Sequence, residues 1–193
     1  MNIGHYSYED FLVKIKDFHG NIAPGIIAGG IMVDIARANL PAGEFFDVIC
    51  ETGRCLPDAV QILTPCTIGN GWLKIVDTSR YALTFYNKYT GDGVRVFLDA
   101  GKLGNWHCIK AWFLKDKPKK EQDFDGIIDE FRRAGTSIYS IKKVKVKPTY
   151  ISFAKKKSSQ VGLCPSCGEA YRTSLGKACS ACQGLGPFID EEN

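Results

Sequence analysis

The residues best equipped for chemistry are cysteines, and four of the eight fall into two pairs. Cys164-Pro165-Ser166-Cys167-Gly168 and Cys179-Ser180-Ala181-Cys182 are separated by eleven residues. Two residues between thiolates let both sulfurs reach one ion from a tight turn, and Gly168 permits the positive φ that closes such a turn. Four thiolates make a closed, tetrahedral structural zinc site with no open position for metal-assisted catalysis. An iron ion on the same four sulfurs is the chemical alternative. A region of about 25 residues cannot bury enough apolar surface to stay folded alone, so the metal is expected to be its core.

A second set of soft donors lies upstream: His19, Cys55 and Cys66, with Asp58, Gln61 and Thr67 available to orient them or to bind a polar ligand. Leu56–Thr64 reads as a short helix, with Pro57 in its first turn and Pro65 marking its end. Cys55 then sits at the positive end of the helix dipole, where a thiolate is stabilised, and a histidine beside it would make an activated pair. Cys66 lies past the other end. A helix of this length spans about 13 Å at 1.5 Å per residue, so the two cysteines cannot share an ion within one chain. A second copy of the chain could bring one end against the other. The plainer alternative is a core histidine and two inert thiols. His107 and Cys108 are helical neighbours that face different ways and are not expected to share a metal.

These residues need a scaffold. Ser7 caps a helix over 8–18, with Phe11, Leu12, Ile15 and Phe18 at helical spacing. Pro24 opens a second helix, to about Asn39, in which Gly25, Gly29 and Gly30 lower the propensity and call for close approach by another element. Strands are expected at Glu44–Thr52, a near-continuous apolar run with Cys50 in the core, and at Trp72–Thr78, Tyr81–Lys88 and Val94–Asp99. The last two are joined by the glycine-bearing loop Tyr89–Gly93. Helices follow at Leu103–Leu114 and Phe124–Ala134, around a charged linker at Asp116–Asp123. A last strand, Ile138–Lys147, carries the lysines that protect sheet edges. The fold class is therefore α+β: a mixed or antiparallel sheet packed with helices, plus a small C-terminal zinc finger of the zinc-ribbon or treble-clef kind. The domains are a core over 1–147, a basic linker over 148–163 and a four-cysteine finger over 164–193.

The chain has 193 residues, 45% of them hydrophobic, and a net charge of +4 from 25 basic and 21 acidic residues. That balance does not by itself call for nucleic acid. A strip from Lys142 to Lys157, with Lys143, Lys145, Lys147, Lys155 and Lys156 and no acid among residues 142–163, could contact phosphates. The plainer reading is a solvated linker and a protected edge. No apolar run is long enough to span a membrane and no signal peptide is visible, so a cytoplasmic location is expected, where paired cysteines bind metal rather than form bridges.

Two stretches carry a resemblance. Cys55, Asp58-Ala59-Val60-Gln61 and Thr64-Pro65-Cys66-Thr67-Ile68-Gly69 resemble the pattern of the FmdE family, named for one of the subunits of formylmethanofuran dehydrogenase. Phe18-His19-Gly20-Asn21-Ile22-Ala23-Pro24-Gly25 is similar to the family's upstream Phe-His-Gly-His-x-Cys-Pro-Gly motif, with Asn21 and Ala23 in place of its second His and its Cys. The resemblance implies an intertwined homodimer. It also implies association with the other subunits of a molybdenum or tungsten formylmethanofuran dehydrogenase, to which the redox chemistry belongs. Three functions are open at this point. The first is a zinc-binding accessory or regulatory protein that acts by association or metal sensing. The second is a metal- or thiol-dependent enzyme or ligand-binding protein using His19, Cys55 and Cys66. The third is a nucleic-acid-binding zinc-finger regulator.

Overall fold

A computed structural model of the chain describes residues 1–40, 45–151 and 160–188. The chain divides into two units, Met1–Ser152 and Phe153–Asn193.

The first unit opens with a two-residue hairpin, β1 (Asn2–Ile3) and β2 (Tyr6–Ser7), that leads into α1 (Tyr8–His19). Ser7 caps α1 by accepting the Asp10 N–H at 3.1 Å, and Gly20 ends it at φ 89° in the left-handed region. Pro24 starts α2 (Pro24–Ala38), which has no side-chain cap. Eleven of its residues are buried, and it lies at the centre of the unit, against α1, α3 (Leu56–Leu63), α5 (Phe124–Ala134) and two sheet strands.

The α2 glycines do what the sequence asks of them. A Cβ on Gly29 would lie 2.7 Å from the Ala59 Cβ on α3, and one on Gly30 would lie 2.6 Å from the Phe11 ring on α1. Each glycine costs about 1 kcal/mol of helix propensity. In return α2 approaches both neighbours more closely than any side chain allows.

The sheet has five strands: β3 (Phe46–Cys50), β4 (Leu73–Ile75), β5 (Ala82–Asn87), β6 (Asp92–Leu98) and β7 (Tyr139–Lys145). Their order is β4-β3-β5-β6-β7, with β3 and β4 parallel and every other pair antiparallel. Val94, Val96 and Leu98 alternate into the main core, while Ile49, Tyr86 and Val146 make a smaller cluster. β7 is an edge strand, as its lysines suggest, and Lys145 pairs with Asp92 at 2.8 Å.

Two boundaries differ from expectation. The helix expected from Leu103 begins at His107, as α4 (His107–Leu114). Asp99 instead caps a 3₁₀ turn over Ala100–Lys102, and Gly104 and Asn105 lie before the helix proper. The strand expected from Glu44 is observed from Phe46; Glu44 lies outside the described residues.

Two buried acids in the sheet were not foreseen. Asp47 sits on β3 and is held by Lys74 at 3.1 Å. Glu51 takes a two-bond clamp from Arg95 at 2.5 and 2.9 Å. Burial pushes the Glu51 carboxyl up, but Arg95 and Arg80 together hold it below the usual carboxylate range.

In the second unit, β8 (Val161–Leu163) pairs with β9 (Ala170–Arg172). The finger thus starts before its first cysteine, because the Cys164–Cys167 turn needs both strands of its hairpin. Of the linker residues expected at 148–163, Pro148–Tyr150 form a 3₁₀ turn, and 152–159 lie outside the described residues together with Lys155 and Lys156. Among the described residues, no single helix is long and apolar enough to cross a membrane.

Candidate ligand cleft and metal centre

Cys55 holds an unusual backbone conformation, φ 59° and ψ −46°, in which the Leu56 N–H donates to the Arg54 carbonyl at 2.6 Å. This is a γ-turn of the strained hand, rare outside glycine. Its Cβ faces the start of α2, where a Cβ on Gly25 would lie 2.8 Å from the Cys55 Cβ. Tyr81 closes the same corner by donating from its hydroxyl to the Gly25 carbonyl.

A cleft of about 960 Å³ opens beside Cys55. The end of α1 supplies His19, and the segment into α2 supplies Asn21, Ala23 and Gly25. Arg54 and Cys55 come from the turn before α3. Trp112, Lys115, Lys117, Lys119 and Gln122 come from α4 and the segment after it, and Phe124 from the start of α5. Both halves of the resemblance, well separated in sequence, therefore meet on one wall.

His19 donates from Nδ1 to Asp58 Oδ2 at 2.7 Å. The activation expected of Cys55 is not what its surroundings give. Burial and then the Asp58 carboxylate push its thiol up, and Arg54 and Lys119 offset this only in part. The helix dipole still favours a thiolate at this position, but burial against α2 outweighs it.

The remaining candidates lie elsewhere. Cys66 is fully buried past the other end of α3, donates to the Phe46 carbonyl at 3.7 Å, and is pushed up to about 11 by burial. Gln61 accepts the Ile68 N–H at 3.4 Å. Thr67 exchanges bonds with Asn70, accepting its N–H on Oγ1 and donating its own to Oδ1, each at 3.0 Å. Both stitch the loop after α3 and are absent from the cleft wall. In sequence, the basic and aromatic residues of 112–124 read as a core helix and a linker, not as part of a site. The signal that could have found them is the density of cations in Lys115–Lys120.

The finger brings its four sulfurs within 4.8 Å of one another. A tetrahedral zinc with Zn–S bonds of 2.3 Å requires S···S edges of about 3.8 Å. Cys167 and Cys179 Sγ lie 3.8 Å apart. Gly168, at φ 77°, closes the first turn. N–H groups of Cys179, Cys167 and Ser166 converge on Cys164 Sγ and hold its thiol down to about 6, which favours the thiolate a metal needs. The residues therefore fit zinc, which would be held by Cys164, Cys167, Cys179 and Cys182. Among the described residues, no other group of three or more His, Cys, Asp or Glu side chains brings its donor atoms together for one ion.

Comparison with known proteins agrees with both units. The family model described as "FmdE, Molybdenum formylmethanofuran dehydrogenase operon" matches residues 18–147, and "FmdE treble clef zinc finger" matches residues 155–189. A crystal structure of an FmdE-like protein of tungsten formylmethanofuran dehydrogenase type, from Syntrophus aciditrophicus, is 50% identical, with a TM-score of 0.87 over 97% of this chain and 98% of that one. A protein of Archaeoglobus fulgidus, described as a probable S-adenosyl-L-methionine-binding protein, is 27% identical over 191 residues. The match takes in 90% of this chain and 52% of that protein, so the chain spans about half the length of this curated relative. With a core matched over most of its length and a treble-clef finger matched behind it, the chain belongs to the FmdE family.

Proposed function

We propose that this chain is a zinc-bearing accessory or regulatory protein that works by binding. The α/β core would take a small ligand in the cleft beside Cys55, and the finger would serve association with other chains. The observation that carries this reading is the make-up of the cleft wall. It joins His19 and Cys55 to Asn21 and Ala23, leaving two soft donors where the family's motifs have four. His19 is engaged by Asp58, and burial keeps the Cys55 thiol protonated. A catalytic thiolate or an open metal site needs the opposite: a depressed thiol and three convergent ligands.

The name of the Archaeoglobus relative, a probable binder of S-adenosyl-L-methionine, supports the small-ligand part of this reading. The family's description ties it to an operon of a molybdenum formylmethanofuran dehydrogenase, which makes that enzyme's subunits and a second copy of the chain the first partners proposed. A reducing cytoplasm, which keeps four thiols free for zinc, suits the role.

Metal content tests the reading. Elemental analysis of the purified chain and of Cys55→Ser is expected to give one zinc per chain in both. A second metal, present in the wild type and lost in Cys55→Ser, would overturn it in favour of metal chemistry in the core.

A further inference from the structure

The cleft beside Cys55 is lined by cations and by no carboxylate among the described residues. Arg54, Lys115, Lys117 and Lys119 stand around it, and none of the four has a carboxylate partner within 4.0 Å among the described residues. Elsewhere in the unit, Lys74, Arg80, Arg95, Arg132, Arg133 and Lys145 are each paired with an acid. Asp116 and Glu121 belong to the same segment as the three lysines, yet neither lines the cleft.

Like charges gathered at a concave surface with low-dielectric walls repel one another and raise the local potential; an anion relieves both. Apolar walls are present. Trp112 is fixed edge-on against Tyr81 at 6.2 Å and Phe131 at 5.7 Å, and Phe124 offers a second, partly exposed ring. The positive surface also continues. An adjoining cleft of about 870 Å³ shares Arg54, Cys55, Trp112 and Lys115 and adds Lys142.

Building on the binding role just proposed, we infer that the cleft takes an anionic small molecule carrying a flat ring. Its phosphate or carboxylate group lies among Arg54, Lys115, Lys117 and Lys119, and its ring lies against Trp112 and Phe124. A volume near 960 Å³ stands at the upper end of small-molecule sites, large enough for a nucleotide-sized ligand.

Isothermal titration of the full, zinc-loaded chain tests this with four probes: inorganic pyrophosphate, AMP, adenosine and S-adenosyl-L-methionine. AMP is expected to bind saturably and at least tenfold more tightly than adenosine or pyrophosphate, because it alone combines charge and ring. Its affinity should fall at least tenfold in the double variant Lys115→Ala/Lys117→Ala and again in Arg54→Ala, and should weaken as salt rises. These side chains are exposed, so melting temperatures should stay unchanged. Four results would each overturn the inference. They are no saturable binding of either anion at millimolar concentration, equal binding of adenosine and AMP, preference for the net-cationic S-adenosyl-L-methionine over AMP, or AMP binding that the variants leave intact. The metal count for Cys55→Ser is independent of all four, so the binding role and the anionic class can fail separately.

Discussion

Stripping zinc from the finger should unfold the finger and leave the core standing. Among the described residues of the second unit, Cys164 is the one buried side chain, at 2% exposure. Leu163, Leu185 and Phe188 are 74%, 78% and 86% exposed, so hydrophobic burial contributes almost nothing. A fully buried apolar side chain contributes roughly 1.5–3 kcal/mol. A structural zinc contributes roughly 10–16 kcal/mol in isolated finger peptides. The metal therefore exceeds what any one buried residue could supply several-fold, and no other source of comparable size is present among the described residues. Hydrogen exchange read by mass spectrometry, before and after a strong zinc chelator, resolves the two units. Amides of β8, β9 and the Ala181–Leu185 turn should lose protection on chelation and regain it when zinc is restored. Amides of β5 and β6, between neighbours on both sides, should not change. Cys167→Ser should reproduce the chelated pattern. Finger amides that stay protected without metal would refute the reasoning, as would core amides that lose protection in step with the finger.

Two further outcomes follow from the core. Gly29→Ala should gain about 1 kcal/mol of helix propensity and lose more by overpacking, typically about 1–3 kcal/mol. The new Cβ meets the Ala59 Cβ at 2.7 Å, and a Cβ cannot swing aside. Urea denaturation should show a net loss of about 1 kcal/mol, and a stabilised variant would contradict the packing described for α2 and α3. The second outcome concerns acid. The folded protein holds the Glu51 carboxyl below its unfolded value, so Glu51 contributes stability that is fully present above the ordinary glutamate range near pH 4.3 and is lost as pH falls through the depressed value. Glu51→Gln should be less stable at neutral pH, because it leaves Arg95 only 16% exposed and without its anion. Its acid unfolding curve should also be flatter between about pH 5 and 2, and a curve parallel to the wild type would contradict the assignment.

Short-range chemistry was legible in the sequence. The Ser7 cap, the Gly20 stop, the Pro24 start and the Pro57–Pro65 bounds of α3 depend on residues within a turn of one another, and they are found where the spacing puts them. The finger was legible for the same reason, since two Cys-x-x-Cys turns place four sulfurs with little help from the rest of the chain. The glycines of α2 announced a close approach, though not which helices would make it.

Tertiary structure alone decided the cleft. His19 and Cys55 reach one wall only because α2 folds back along α3, and Lys115, Lys117 and Lys119 join them only because the segment after α4 runs past the same opening. Burial, which no local spacing encodes, set the state of the core thiols. A cysteine at a helix N-terminus reads as an activated thiolate in isolation, but the packing of Gly25 and Tyr81 around Cys55 removes it from water and reverses the expectation. Sequence determines what is settled within a few residues, while charge and proton affinity in a cleft depend on which distant side chains share the same water.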